Sequence, residues 1–470
     1  MKLAEYDLLI IGSGAAGVAA AIRASELGGK AAIVEQAERL GGTCVNIGCI
    51  PSKYLIEAAQ HYHTARTAIP GVQGCTPELA WRELLRRKDE IIEVLRREKY
   101  DDVLASHGVH VLRGSAELLG SGRVRVGAQE MAPRNVLLAT GARAAMPPIP
   151  GLSESSPLNS TTVMELKRLP ASMIVIGGGA IGLELGQAFS RFGVRVIIVE
   201  ARDRILPEED AAASAALSDA LSAEGIELHT GVHVTRVARS SAGYKVELRS
   251  GSMTGELEAQ QLLVATGRRP NTQALGLDAA GVNTDAAGFI IVDEFMRTSA
   301  LNVYAAGDVV SGPGLVYVAA LGGGVAAQAA LGTAYGVDPL PLDVRATPRV
   351  TFTDPQVAAV GMSEDEARAA GMSVKVAVLP ASYLPRGVVS GHERGLIKLV
   401  ADSASDRLLG AHIVSRNAGD VIGEATLAVR FNLRIQDLAT TLHPYLTWAE
   451  GIKLAAQAFS KDVAKLSCCA

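Results

Sequence analysis

Two stretches of the chain share one alternation of apolar runs and glycine turns. In the first, the apolar run 6–11 leads into Gly12-Ser13-Gly14-Ala15-Ala16-Gly17, a helix-like stretch, and a second apolar run at 31–35. In the second, the run 173–176 leads into Gly177-Gly178-Gly179-Ala180-Ile181-Gly182, a helix-like stretch, and the run 194–200. Each reads as strand, glycine turn, helix and second strand, ending in an acid: Glu35 in one, Glu200 in the other. The first glycine makes the tight turn, the second lets backbone approach a pyrophosphate, and the third packs helix against strand. The acid receives a ribose hydroxyl pair. One such turn is weak evidence, whereas two in the same context predict a pair of dinucleotide-binding units.

Shorter signals extend the repeat. The run 135–138 ends in Ala139-Thr140-Gly141-Ala142, and 261–264 ends in Ala265-Thr266-Gly267-Arg268, one after each glycine unit. The stretch Val303-Tyr304-Ala305-Ala306-Gly307-Asp308 reads as a strand ending in Gly-Asp, which suits a carboxylate beside a ribityl or phosphate group. Residues 82–100, rich in Arg and Glu with Leu85, Ile92 and Leu95 on one side, predict a solvated amphipathic helix. From Val350 onward the glycine turns stop, and alternating segments such as 396–400 predict an antiparallel sheet flanked by helices. The expected fold is α/β, with two Rossmann-like dinucleotide-binding domains and a C-terminal α+β domain.

Composition narrows the setting. A chain of 470 residues implies two to three domains. A net charge of −4 gives no reason to expect nucleic acid or anionic lipid as partner. The least polar stretch, 315–331, is glycine-rich, interrupted by Gln328, and shorter than the roughly 20 apolar residues of a membrane span. Glu5 and Asp7 precede the first apolar run, unlike a signal peptide, so the expectation is a cytoplasmic protein without membrane association. Five cysteines are too few for a disulfide scaffold. They fall as Cys44 with Cys49, Cys468 with Cys469, and Cys75 alone. Paired cysteines in a reducing compartment point to redox or metal chemistry, and Cys75 reads as a spectator.

Cys44 and Cys49 lie in Gly41-Gly42-Thr43-Cys44-Val45-Asn46-Ile47-Gly48-Cys49-Ile50-Pro51-Ser52-Lys53. In regular helix their Cα atoms would stand about 7.5 Å apart along the axis, beyond the disulfide limit of roughly 7 Å. A bond therefore needs Cys44 on the entering turn, a distortion the neighbouring glycines permit. Cys468 and Cys469 are adjacent, so their Cα atoms are about 3.8 Å apart, closer than ordinary disulfides allow. They remain a soft dithiol, which selects soft metal ions and, on a terminal segment, passes them on.

The 41–53 segment, both glycine turns, the two Ala-Thr-Gly turns and Ala306-Gly307-Asp308 resemble the pyridine nucleotide-disulfide oxidoreductases, over essentially the whole chain. The resemblance implies a first FAD-binding part at 1–150, an NAD(P)H-binding domain at 151–270, a second FAD-binding part at 271–340, and a dimerisation domain at 341–470 in a homodimer. It assigns Glu35 to the FAD ribose, and Gly12, Gly14, Gly17, Gly42 and Thr43 to the FAD phosphates. Lys53 and Asp308 fall near the flavin and its ribityl chain, with Ala116, Thr140, Gly141 and Val316 as further contacts. Gly177, Gly179, Gly182, Glu184, Glu200 and Gly267 fall to the nicotinamide nucleotide. Cys49 is the sulfur stacked on flavin, and Cys44 the sulfur facing substrate.

Family members that reduce organic disulfides carry a catalytic histidine ahead of a C-terminal glutamate. Counting back from Glu450, that position is Tyr445, and His443 lies two residues earlier. A tyrosine with a pKa near 10 shuttles protons poorly at neutral pH, but its hydroxyl can contact a metal or its thiolates. Tyr445 and the Cys-Cys tail resemble the members that act on mercuric ion. The implied activity is FAD-dependent reduction of Hg(II) to Hg(0) by NADPH or NADH through Cys44 and Cys49. The ion arrives as a thiolate complex and is relayed by the partner subunit's Cys468 and the partner subunit's Cys469. Because the flavin unit begins at once, solution thiols or another protein are expected to deliver it. Some relatives carry a tyrosine where this chain has Ala180, which leaves Tyr445, and then Tyr317, as the tyrosines expected near the metal. Glu200 and Gly182 favour NADH, while Arg202 and Arg204 can reach a 2′-phosphate. The alternatives are a dihydrolipoyl dehydrogenase-like thiol-disulfide oxidoreductase using His443, and a non-catalytic metal-sequestering flavoprotein.

Overall fold

Both glycine-turn segments fold as the apolar pattern predicts. The computed structural model describes residues 6–69, 71–462 and 465, so Cys468 and Cys469 lie outside the described residues. Strand Leu8–Ile11, helix Ala15–Glu26 and strand Ala31–Glu35 form the first unit, with every residue of Leu8–Ile11 buried. Its sheet is parallel and five-stranded, in the order Val303–Ala305, Asn135–Leu138, Leu8–Ile11, Ala31–Glu35, His110–Arg113. The second is parallel and four-stranded, in the order Glu227–His229, Arg195–Val199, Ser172–Ile176, Gln261–Val264. Parallel strands covered on both faces read as continuous apolar runs rather than alternations, which is why the pattern marked them.

The Ala-Thr-Gly turns have a physical explanation that lies outside the local pattern. Gly12 and Gly177 have φ of +108° and +113°, a region that favours glycine. A Cβ on Gly12 would stand 2.4 Å from the Ala139 carbonyl oxygen, and one on Gly177 would stand 2.4 Å from that of Ala265. Each Ala-Thr-Gly turn thus presses its alanine carbonyl onto the first glycine of its own nucleotide turn.

The chain divides into two compact units. The first comprises the described residues up to Leu55, Ala80–Ala145 and Gly267–Val344. Its core joins Ile10, Ile33 and Leu137 of the sheet to Ala20, Ala24, Ala326 and Leu331 of two helices. Val316–Tyr335 is the helical stretch among the described residues that is long and apolar enough to cross a membrane. Its Gly323 packs on the backbone of Ala16, where a Cβ would stand 2.0 Å from the carbonyl oxygen, so the apolar sequence serves as a core helix. The predicted helix at 82–100 is helical over Trp81–Arg96, then widens through a π-helical turn at Arg97–Asp101.

The second unit comprises Ile56–Leu79, Met146–Thr266 and the described residues from Arg345. It holds the second glycine unit, an antiparallel three-stranded sheet (His233–Ser240, Gly243–Ser250, Met253–Ala259) and the C-terminal sheet. That sheet is antiparallel and five-stranded, in the order Arg349–Thr351, Gln356–Gly361, Leu408–Ser415, Leu396–Asp402, Val374–Pro380. Helices Ala418–Arg430 and Glu450–Gln457 cover it through Ala425 and Ile452 against Leu399 and Ile413. This is the helix-flanked antiparallel sheet that the alternation after Val350 predicts.

Candidate active site

Cys44 and Cys49 sit on two successive helices rather than one. Helix Gly42–Ile47 carries Cys44 in its first turn, Gly48 interrupts, and helix Cys49–Arg66 begins on Cys49. The break removes the axial separation that a regular helix would impose. Both are half-buried free thiols, and the Cys44 thiol is hydrogen-bonded to Cys49. That bond, burial and the Cys49 charge push the Cys44 thiol far above the usual range, with Lys53 pulling weakly the other way. Cys44 is therefore the sulfur that keeps its proton. Cys49 stands at a helix N-terminus, where the macrodipole favours a thiolate.

Tyr100 borders this pair and was not singled out by the sequence. Its phenol is pushed up to about 12, by burial first and then by the neighbouring sulfurs of Cys44 and Cys49. Its ring lies 3.4 Å from where a Gly41 Cβ would stand. The π-helical turn sets the direction of Tyr100, and such turns gather at functional sites. The one available signal was an aromatic residue closing a helix otherwise rich in charge.

The first glycine turn fits FAD on its own geometry. Gly14 is the N-cap of Ala15–Glu26, with no side chain capping the helix. The space where a Gly14 Cβ would stand has no atom nearer than the Gly42 Cα at 4.0 Å. Uncapped N–H groups facing open space suit a phosphate. Gly17 is closed instead: a Cβ there would meet the Gly12 carbonyl oxygen at 2.0 Å. Glu35 is held at the strand end by Ser13 N–H at 3.1 Å, Ser13 Oγ at 2.7 Å and Ala37 N–H at 2.8 Å. Gly42 approaches Gly14 so closely that a Cβ on it would stand 2.7 Å from the Gly14 Cα, which joins the cysteine helix to the phosphate turn. Thr43 follows Gly42 in that helix, and Lys53 lies one turn into the next. In the same unit the Thr140 hydroxyl donates to the Asn271 carbonyl at 2.8 Å, Gly141 has φ +67°, and Ala116 opens a buried strand end. Asp308 faces Arg268 Nε at 3.5 Å, Gly267 accepts from Ala145 N–H at 2.9 Å, and Val316 is the first residue of its helix.

The second glycine turn repeats this arrangement within the second unit. Gly179 is an uncapped N-cap with open space around it, and a Gly182 Cβ would meet the Gly177 carbonyl oxygen at 2.1 Å. Glu200 accepts from Gly178 N–H at 2.7 Å and Arg202 N–H at 2.8 Å, the counterpart of Glu35. Glu184 lies on the helix that starts at the turn, is 6% exposed, and accepts from Phe352 N–H at 2.8 Å.

At the C-terminal end, His443 is committed. Its Nε2 lies 2.9 Å from both Glu424 oxygens, and its Nδ1 lies 3.0 Å from the Thr441 carbonyl oxygen. Tyr445 is 54% exposed, and Leu446 beside it has φ +66°. Glu450 is buried, with Oε2 lacking a hydrogen-bond partner among the described residues. Tyr317 is exposed in the first unit.

Two nucleotide turns of one design and a cysteine pair directly after the first define a flavin- and nicotinamide-type oxidoreductase. Comparison with known proteins agrees. The sequence profile of pyridine nucleotide-disulphide oxidoreductases matches residues 6–323, and that of their dimerisation domain matches 347–456. The chain belongs to this family, whose members use FAD and NAD(P)H. A mercuric reductase of Staphylococcus aureus is 44% identical over 99% of this chain and 84% of its own length. One from Streptomyces lividans is 42% identical over 99% of this chain and 98% of its own. Among solved structures, a Cu(II) complex of the HOCl-induced flavoprotein disulfide reductase RclA from Escherichia coli aligns with TM-score 0.86 at 28% identity, covering 98% of this chain and 100% of that one. LpdA from Mycobacterium tuberculosis aligns with TM-score 0.85 at 27% identity, covering 97% and 100%.

Proposed function

We propose that this chain reduces Hg(II) to Hg(0) with NADH or NADPH through Cys44 and Cys49. The observation that carries the reading is the hydrogen-bonded thiol pair, set across a helix break behind the first phosphate turn with Tyr100 beside it. In the balanced reaction a mercuric dithiolate, NAD(P)H and a proton give Hg(0), NAD(P)⁺ and two thiols. FAD, when bound, carries the electron pair from nicotinamide to the cysteine side. Cys44, the sulfur facing substrate, displaces the first thiolate of the incoming complex, and its retained proton leaves with the departing thiol. Cys49 then displaces the second thiolate. Tyr100 keeps its phenolic proton at neutral pH and serves as a hydrogen-bond donor to sulfur there.

We read 1–150 with 271–340 as the FAD-binding parts, 151–270 as the nicotinamide domain and 341–470 as the dimerisation domain. The exposed apolar side chains Val388, Val389, Leu427, Phe431 and Leu442 lie in the dimerisation-domain match and suit burial in a homodimer. In that dimer the partner subunit's Cys468 and the partner subunit's Cys469 hand the ion to the inner pair, with Tyr445 near the path. The relay needs free thiols, so we place the reaction in the cytoplasm. Glu200 matches Glu35 in its backbone hydrogen bonds, which supports acceptance of a 2′-hydroxyl and use of NADH.

The test is nicotinamide oxidation by the FAD-loaded protein with mercuric chloride, excess small thiol and each reductant in turn. Mercury should accelerate oxidation at least tenfold, and lipoamide-dependent NADH formation should be negligible because Tyr445 stands at the position of the histidine base and both ring nitrogens of His443 are engaged. Copper(II), the ion of the RclA complex, serves as comparison ion. Lipoamide turnover above mercury turnover would favour the thiol-disulfide reading. Mercury binding without nicotinamide consumption would favour sequestration.

A further inference from the structure

Helix Ala180–Arg191 carries three buried polar side chains on one face: Glu184, Gln187 and Arg191, at 6%, 3% and 7% exposure. Their spacing of three and then four residues places them in one row. The row does not face its own nucleotide sheet. It meets the extended segment 352–354, which continues the edge strand Arg349–Thr351 of the C-terminal sheet. Glu184 Oε1 accepts from Phe352 N–H at 2.8 Å. Gln187 accepts from Asp354 N–H at 2.8 Å and donates to the Asp354 carbonyl at 2.8 Å. Arg191 Nη2 holds the Asp354 carboxylate at 2.9 Å and Glu224 at 2.7 Å. An edge strand leaves a row of unpaired backbone groups. Here helix side chains take the place of a neighbouring strand, and Phe352 and Asp354, two residues apart, offer successive groups of one edge.

We propose that Gln187 is a positioning residue for the nicotinamide nucleotide: by clamping the Asp354 backbone it fixes Phe352, and Phe352 fixes the carboxylate of Glu184. The proposal rests on the reading of Glu184 as a nicotinamide-side contact. Glu184 is one turn from the glycine N-cap, so a small displacement of segment 352–354 moves its carboxylate relative to that turn. The C-terminal domain is in this way part of the nicotinamide site.

The test uses the FAD-loaded protein and four variants: Gln187→Met, Gln187→Glu, Glu184→Ala and Glu224→Gln. The readouts are equilibrium binding of NAD⁺ and NADP⁺ by calorimetry, flavin reduction by stopped flow, FAD content and melting midpoint. Q187M should weaken nucleotide binding or slow flavin reduction about tenfold, equivalent to about 1.4 kcal/mol, with FAD content unchanged. Q187E keeps an acceptor for Asp354 N–H but sets a carboxylate against the Asp354 carbonyl and Glu224, so it should weaken nucleotide binding at least threefold. Glu224 accepts from Gln187 Nε2 at 3.1 Å as well as from Arg191. E224Q removes its charge but keeps an amide oxygen for Gln187 and leaves Asp354 clamped, so it should lower the melting midpoint and leave nucleotide affinity within twofold. Loss in E184A with Q187M and Q187E at wild-type affinity overturns the positioning role and leaves the Glu184 reading standing. No loss in E184A overturns both. If Q187M does not fold, Q187E decides: a threefold loss or more supports the clamp, and none overturns it.

Discussion

Cys44 and Cys49 are five residues apart but occupy different environments, and that difference sets their roles. Cys44 keeps its proton because its sulfur is hydrogen-bonded to Cys49 and partly buried. Cys49 opens a helix. Replacing either with serine should lower mercury turnover by more than a hundredfold while leaving bound FAD in place, as measured by nicotinamide oxidation and flavin absorbance. Tyr100→Phe keeps the buried ring and removes the hydroxyl. It should lower turnover about tenfold, what the loss of one hydrogen bond worth about 1.4 kcal/mol amounts to, with the melting midpoint unchanged. The cysteine pair was legible in the sequence because both sulfurs lie in one glycine-flanked segment. Tyr100 was not, because its approach depends on the π-helical turn at Arg97–Asp101, which shifts it off the periodic pattern. The sequence set His443 two residues before the catalytic position, and the fold adds that Glu424 and the Thr441 carbonyl engage both its ring nitrogens.

At the scale of the element, the two glycine turns show which glycines serve the fold and which serve the ligand. Gly17 is shut against the Gly12 carbonyl, while Gly14 faces open space. Gly17→Ala should destabilise the protein by about 3 kcal/mol, the upper range for overpacking, whether or not FAD is present. Gly14→Ala should cost the apoprotein under about 1 kcal/mol in chemical denaturation but reduce FAD retention sharply. Equal effects of the two substitutions on apoprotein stability would contradict this division. Strand, turn and helix order could be read from the sequence because each is a local pattern. The reason for Ala-Thr-Gly could not, because Ala139 meets Gly12 and Ala265 meets Gly177 only after the sheet assembles. The edge held by Glu184 and Gln187 escaped notice for the same reason.

Across the second unit, a buried ionic cluster ties the nucleotide domain to the C-terminal sheet. Asp210 caps helix Ala211–Ala223 and meets Lys398 at 2.9 Å, and Lys398 also meets Glu364 at 2.9 Å. Lys398→Met should cost about 3–5 kcal/mol, because it leaves buried carboxylate without its cation. Burial alone would raise the Asp210 carboxyl, but the Lys398 hydrogen bond and the charges of His412 and Lys398 bring it below the usual range. Its contribution is therefore present above the unfolded carboxyl pKa and lost as pH falls through the lowered folded value, below about pH 4. His412 is fully buried, and burial lowers its pKa. The unfolded chain takes up that proton near pH 6.5 while the folded chain does not, so stability declines as pH falls from about 6.5. His412→Asn should flatten the fall in melting midpoint between pH 7 and pH 5, and an unchanged slope would contradict the assignment. The central claim concerns the whole protein: two electrons from one nicotinamide reduce one mercuric ion through the inner cysteines. The most direct measurement follows NAD(P)H oxidised and mercury vapour released together, in wild type and in Cys44→Ser/Cys49→Ser. One Hg(0) per nicotinamide in wild type and none in the variant is the predicted result. Nicotinamide oxidation without mercury vapour, or vapour that persists in the variant, would contradict it.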